Sequence, residues 1–303
     1  MAATIYVVSD FHMTVGCDPR TGTADRHESF AHDAAFARFL AHIQQRAAID
    51  RPCRLLILGD LFDFLRVPND DGFPERPADA ERAALAKLER IAAGHREAFE
   101  ALGAFAAAGG PIDIVAGNHD MALTRPSAQA RLRQLLVGDN ADAARLIRVR
   151  PWVFYLPGVL YAEHGQQYHD LNSFATLLPP MPGSDGGRIE PPLGSYLETY
   201  RLHLRQTIDE IAVEGIAPLA LLRALRRHPA AVPRLARSHL RFAGTVVRDF
   251  VRRSSRREAL RRDAYRRQVV PASVPEIGLS AATLAGIDQL AEAAARGMAG
   301  RIV

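Results

Sequence analysis

Three times within the first 120 residues a short apolar run stops at a cluster of Asp, His, Asn and Gly, and each time a stretch of helical spacing follows. Thr4 to Ser9 leads into Asp10-Phe11-His12, Leu55 to Leu58 into Gly59-Asp60, and Ile112 to Ala116 into Gly117-Asn118-His119-Asp120. A continuous apolar run of four or five residues suits a strand buried on both faces. Alternation of such runs with helices predicts an α/β core of parallel strands, because parallel neighbours need a long crossover connection. Loops at the carboxyl ends of those strands then converge on one place. Phe30, Phe36, Phe39, Leu40 and Ile43 recur at helical spacing, which predicts a helix over Ser29 to Ala48. Ala78 to Ala108 reads as one or two helices closed by Gly109-Gly110-Pro111, and Ser127 to Val137 as another.

After Arg145 the pattern changes to short strands without helices: Leu146 to Val149, Trp152 to Leu156, a Pro157-Gly158 turn, and Val159 to Ala162. This predicts antiparallel hairpin structure whose last strand delivers His164-Gly165. Trp152, Phe154 and Tyr155 read as core packing ahead of substrate stacking. Residues 179–194 are crowded with Pro and Gly, and helical spacing returns over Tyr196 to Val213, Ala217 to Arg227, Val232 to Arg253 and Ala281 to Met298, with Pro229, Pro233 and Pro271 as interruptions. The chain thus divides into a core (1–178), a connector (179–195) and a helical region (196–303).

Hydrophobic residues make up 48% of the 303-residue chain and charged ones 24%, the balance of a globular protein with a substantial core. No apolar window reaches the eighteen or so residues of a membrane-spanning helix, and no secretory leader follows Met1. Two cysteines, Cys17 and Cys53, form neither a disulfide framework nor a thiolate metal site, so the expectation is a cytoplasmic protein that meets a membrane only from outside. The net charge of +4 conceals an asymmetry: residues 201–270 hold 17 Arg against 6 Asp or Glu. Such helices suit an anionic membrane surface, a nucleic-acid backbone or an acidic partner, or else a plain solvated face. The apolar residues Leu240, Phe242, Val246, Val247, Phe250 and Val251 interleaved with the arginines require one face of residues 232–253 to be buried.

Four strand ends carry the chemistry: Asp10-Phe11-His12, Gly59-Asp60-Leu61-Phe62-Asp63, Gly117-Asn118-His119-Asp120 and Glu163-His164-Gly165. Carboxylate, imidazole and amide oxygen together suit divalent Mn, Fe or Zn, and a carboxylate is able to bridge two ions. A pair of ions lowers the pKa of a water and offsets charge developing on a phosphoryl group, so phosphate-ester hydrolysis is the expected chemistry. Gly59, Gly117 and Gly165 let backbone turn close to a ligand. Asp120 reads as a support for the Asn118 loop through a local backbone hydrogen bond.

In this order, Ser-Asp-Phe-His, Gly-Asp-Leu-Phe-Asp, Gly-Asn-His-Asp and Glu-His-Gly resemble the motifs of the calcineurin-like metallophosphoesterase superfamily over residues 4 to about 172. The resemblance implies a four-layer α-β-β-α sandwich, here with an Arg-rich helical insertion or C-terminal part, and two divalent transition-metal ions. It implies that Asp10 and His12 bind one ion, that Asp60 bridges both, and that Asn118 and His164 bind the other. His119 would contact the phosphate and protonate the leaving oxygen, oriented by Asp63. The implied enzyme hydrolyses a phosphomonoester, phosphodiester or pyrophosphate. The superfamily's closing Gly-His-x-His is not found after His164, where the histidines are His169, His203, His228 and His239. Three expectations follow: a chain that stops before that motif, a substitute histidine, or a metal-poor relative that binds anionic lipid, nucleic acid or protein through its Arg-rich helices.

Overall fold

The computed structural model describes residues 4–18, 20–25, 28–49, 52–68, 79–169, 171–174, 191–207, 226–227, 229–253 and 256–299. Most of the expected connector, and the helix expected over Ala217 to Arg227 apart from 226–227, lie outside these residues. Four strands, β1 (Thr4–Val8), β2 (Cys53–Leu58), β3 (Ile112–Val115) and β4 (Ile147–Arg150), form one parallel sheet in that spatial order. The crossovers are α1 (Asp33–Ile49) between β1 and β2, α2 (Ala80–Gly94) with α3 (Arg96–Ala107) between β2 and β3, and α4 (Pro126–Val137) with α5 (Ala141–Leu146) between β3 and β4. The mixed α/β class with a parallel sheet flanked by helices therefore follows the sequence pattern.

Residue alternation assigns each face of the sheet. Leu55, Ile57, Ile112, Ile114, Ile147 and Val149 pack with Phe36, Leu40, Ile43, Leu88, Phe99 and Leu132 from the crossover helices. On the other face Leu56 and Val115 meet Phe154 of β5 (Val153–Leu156), which pairs antiparallel with β6 (Leu160–Glu163). The two faces of β5 are used differently. Phe154 points to the sheet, while Val153 beside Trp152 packs with Tyr265, Val269, Val270, Ile277 and Leu284 from α8 (Arg256–Ala272), α9 (Val274–Ile277) and α10 (Ala281–Ala299). Trp152 and Phe154 are core residues, as expected. In chain order α6 (Leu193–Thr207) and α7 (Val232–Arg253) come between the hairpin and α8.

Three local expectations are corrected. Leu146 to Val149 was expected in antiparallel structure, but β4 pairs parallel with β3 at Ile112↔Ile147 and Ile114↔Val149. The short helix α5 supplies the reversal that makes this possible. The first long helix begins at Asp33 and not at Ser29, because the preceding residues hold another loop: Glu28 Oε1 accepts from Phe30 N at 2.7 Å, and Ser29 Oγ donates to His12 O at 3.2 Å. The helix over Arg256–Ala272 also passes through Pro271 and ends one residue later.

A charge is buried between sheet and hairpin. Asp113 of β3 is fully buried and takes Arg54 of β2 on Oδ2 and Arg150 Nε on Oδ1, the latter at 2.9 Å. Arg54 also lies over the Phe154 ring, 5.7 Å from its centroid. Removing one partner of a buried ion pair strands the others in a low-dielectric layer. Asp113→Ala is expected to destabilise the fold by about 3 kcal/mol, the low end for buried pairs because both arginines retain some solvent contact. Urea denaturation checks this; a change within about 0.5 kcal/mol, as for an ordinary surface substitution, would show that the triad contributes nothing.

Candidate metal centre

The pairing of β1 with β2 continues beyond both strands. Asp10 N donates to Gly59 O at 3.2 Å, His12 N to Asp60 O at 2.9 Å, Met13 N to Leu61 O at 3.1 Å, and Asp63 N to Met13 O at 2.9 Å. The two loops thus run side by side, with Met13 bridging Phe62 in parallel sense. Within them the backbone turns left-handed at Asp10 (φ 57°), His12 (φ 50°) and Asp60 (φ 50°), the non-glycine residues of positive φ among the described residues. Asp, Asn and His adopt this region more readily than other residues, but each instance still costs about 1–3 kcal/mol and tends to cluster at functional sites.

Asp60 lies at the centre, buried, with a carboxylate that faces three loops. Its Oδ1 accepts from His119 N at 2.9 Å, and its Oδ2 lies 3.2 Å from His164 Nε2 and 3.6 Å from His12 Nε2. Two glycines make room for it. A Cβ on Gly117 would sit 2.1 Å from Asp60 Oδ1, and one on Gly59, itself at φ 86°, would sit 2.2 Å from His164 Nδ1. Ligand atoms of Asp10, His12 and Asp60 lie within 4.8 Å of one another, as do those of His12, Asp63 and His119. Asn118 is buried between Gly117 and His119, both of which touch Asp60. Asp10, His12, Asp60, Asp63, His119 and His164 are thus brought together.

The outer contacts of the histidines define their chemistry. His164 Nδ1 lies 2.9 Å from Leu58 O, so the ring donates there and turns Nε2 toward Asp60. Burial opposes a charge on His164, but Asp60 and Leu58 O outweigh it and push its pKa up to about 9. Asp63 Oδ1 accepts from Leu65 N at 3.1 Å and Arg66 N at 3.0 Å, and lies 2.9 Å from His119 Nδ1. The last approach is close but poorly aligned, leaving His119 Nδ1 without a proper hydrogen bond; such contacts commonly tighten when substrate binds. His12 Nδ1 and Asp63 Oδ2, 3.4 Å apart, are likewise buried without hydrogen-bond partners. Burial works to raise the Asp63 carboxyl, yet His119, His12 and Arg66 hold it well below the ordinary carboxylate range. Burial works against the His119 imidazolium, and Asp63, Asp60 and Glu198 raise its pKa overall.

Asp120 does what its position after the Asn118 turn suggests, and more. Its Oδ1 accepts from Gly117 N at 2.6 Å, while Oδ2 accepts from Leu61 N at 2.8 Å and weakly from Phe62 N. It thereby ties the third loop to the second. Burial and the neighbouring Asp60 charge push its carboxyl up, against the pull of the backbone donors. His169 accepts from Leu171 N within its own loop, and His239 Nδ1 lies 2.9 Å from Tyr200 Oη; the side chains of His203 and His228 lie outside the described residues.

Two groups of site residues are absent from the sequence motifs. Arg66 Nε lies 3.4 Å from Asp63 Oδ2 and 2.8 Å from Glu198 Oε1 on α6, which brings the helical region against the centre. Glu28 Oε2 accepts from Thr14 N at 2.9 Å, Thr14 Oγ1 at 2.6 Å and Gly16 N at 2.8 Å, bracing the loop that carries His12. Glu28 in turn lies 3.0 Å from Nε2 of buried His95, whose Nδ1 is 3.0 Å from Asp33. Only the polar residue at the break between α2 and α3 hinted at this pairing.

Burial disfavours both charges in this brace, yet mutual hydrogen bonding dominates: His95, with Asp33 and Glu28 beside it, is raised from 6.5 to about 9, and Glu28, with His95 and Thr14, is lowered from 4.5 to about 2. A raised histidine stabilises fully below its unfolded pKa and loses that contribution as pH climbs through the folded one; a lowered carboxylate does the reverse. Stability from the brace is therefore expected to be full between pH 4.5 and 6.5, to decline as pH rises through about 9, and to decline in acid toward about 2. Denaturation midpoints across the alkaline range should fall more steeply in the parent than in His95→Gln; parallel curves would remove the brace from the pH response. Comparison of the chain with family models, with curated proteins and with solved structures returns no match.

Proposed function

We propose that the chain is a metal-dependent phosphoesterase that cleaves a phosphomonoester, phosphodiester or pyrophosphate bond with two divalent transition-metal ions, Mn, Fe or Zn. One observation carries the reading: the strained left-handed residues Asp10, His12 and Asp60 frame a buried carboxylate toward which two imidazole Nε2 atoms are aimed. The donor set fits such ions. It combines carboxylate oxygens with imidazole nitrogens, and His164 has the carbonyl partner that commonly fixes a metal-binding tautomer. The order of the four motifs, which resembles the calcineurin-like superfamily, supports the same reading. So does the succession of crossover helices, parallel sheet, hairpin and C-terminal helices, the basis for proposing a four-layer α-β-β-α sandwich.

In this reading Asp10 and His12 hold one ion, Asn118 and His164 the other, and Asp60 is shared. When bound, the ions acidify a water and offset negative charge on the phosphoryl group. The protein's own contribution is positional. His119 carries a proton to the leaving oxygen; buried Asp63, 2.9 Å from its Nδ1, favours the protonated ring and would orient it once the contact aligns on substrate binding. Asp120 and the Glu28 brace fix the loops so that these groups need no rearrangement. The enzyme is read as cytoplasmic, with Cys17 and Cys53 as free thiols.

A rival reading, a metal-poor scaffold that works through its Arg-rich helices, draws on the lack of a Gly-His-x-His after His164. Metal analysis separates the two. Purified protein is expected to retain transition metal and to hydrolyse an aryl phosphate, and Asp60→Asn to lose both; metal-dependent turnover surviving in Asp60→Asn removes the shared role. His119→Asn is expected to keep its metal while kcat falls about 10²–10⁴-fold, and an unchanged kcat would eliminate His119 as the proton donor.

A further inference from the structure

We propose that the outer face of α7 is a docking surface for an anionic lipid bilayer. The helix has two unlike sides. On one, Phe242 stacks on Tyr200 of α6 with centroids 4.5 Å apart and planes 15° apart, and His239 meets the Tyr200 hydroxyl. The sequence requirement for a buried face is met only in part: Phe242 and Val246 are half-buried, whereas Leu240, Val247 and Val251, expected on the buried face, are exposed. On the other, Leu240, Gly244, Val247 and Val251 follow one another at intervals of four, three and four residues, which places them on one line along the helix. They are not covered: Leu240 is 73% exposed, Val247 61% and Val251 62%. Isolated exposed apolar residues are ordinary, but an aligned row marks an interaction site.

The flank of the row identifies its partner. Arg237, Arg241 and Arg248 are exposed and project within a quarter turn of the apolar line, all on the same side of it. Across the whole helix six arginines stand against one acidic residue, Asp249. An aliphatic stripe beside a cationic row is the profile of a helix lying in a membrane interface, with apolar side chains among the acyl chains and guanidinium groups at lipid phosphates. A nucleic-acid surface would be expected to offer aromatic rings for base stacking, and the exposed row is aliphatic. Among the described residues no helix is long and apolar enough to cross a membrane, which fits attachment along the surface. Because α7 stacks on α6, and α6 reaches Arg66 through Glu198, docking would set the orientation of the metal centre relative to the bilayer.

Vesicle sedimentation with the full chain tests this. Binding to vesicles of phosphatidylcholine mixed with phosphatidylglycerol is expected to exceed binding to phosphatidylcholine alone by about tenfold or more, and to weaken with salt. The paired substitution Leu240→Ser with Val247→Ser, and separately Arg237→Gln with Arg248→Gln, should each lose that binding while circular dichroism and aryl-phosphate turnover stay at the parent level. The second pair keeps the test informative if the first perturbs folding. Equal binding to both vesicles, or undiminished binding by either folded variant, overturns the proposal. So does a dimer in solution that the Leu240 and Val247 substitutions dissociate, since a second copy would then cover the stripe. Binding of an oligonucleotide without binding of anionic vesicles would also overturn it.

Discussion

The candidate site depends on two loops continuing a parallel pairing after their strands have ended. Ordinarily the carboxyl ends of β1 and β2 would diverge into separate crossovers, and their side chains would scatter. Here four backbone hydrogen bonds hold residues 10–13 against 59–63, and the chain meets that geometry by turning left-handed at three residues. The strain is offset locally. Asp120 receives backbone N–H groups from both the second and third loops, and Glu28 receives three donors from the first. Small residues complete the arrangement, because a methyl group at Gly59 or Gly117 would overlap His164 or Asp60. Loop pairing, glycine spacing and buried carboxylates are thus parts of a single constraint.

The positions that sequence reading identified best are those where the local pattern and the tertiary environment ask for the same residue. The apolar runs before Asp60 and Asn118 become β2 and β3 because a strand buried on both faces has few other solutions, and the run before Asp10 becomes β1 as a half-exposed edge strand paired with β2. Periodicity cannot specify a strand's partner, and so β4 joined the parallel sheet despite its resemblance to the hairpin strands after it. The helix over Arg256–Ala272 went unread for a different reason. Its arginines hide the apolar spacing of Tyr265, Val269 and Val270, which are buried against β5. Arg266 illustrates the cost of that dense charge and its remedy, being paired with Asp288 and Glu292 of α10.

Within the site, residues belonging to compact motifs were legible and those acting across long sequence separations were not. Asp10, His12, Asp60, Asp63, His119 and His164 announce themselves by their place at strand ends, and the fold gathers them. Glu28 and His95 lie 67 residues apart and Arg66 and Glu198 lie 132 apart, so no local pattern joins them. Their role follows from burial alone: an ionised group removed from water must find its partner, whatever its distance along the chain. Glu28 stands just before a helical pattern and belongs to no motif, while its actual work is done at Thr14 and Gly16.

Charge balance at the centre bears on the chemistry in a way that no single contact does. Asp10 and Asp60 gather beside His12, Asp63 lies on the other side of the same ring, Asp120 is buried behind the second and third loops, and Arg66 is shared between Asp63 and Glu198. Like charges this close repel one another, and burial first, with the Asp60 charge second, pushes the Asp120 carboxyl up. A phosphate brought to the centre would add to the repulsion. A protonated His164, its Nε2 turned toward Asp60, offsets only part of that charge, and the offset is lost as pH rises through about 9. In the proposed reading, divalent cations would ease both difficulties: they would neutralise the carboxylates where the rings are deprotonated, and the site would then attract an anion.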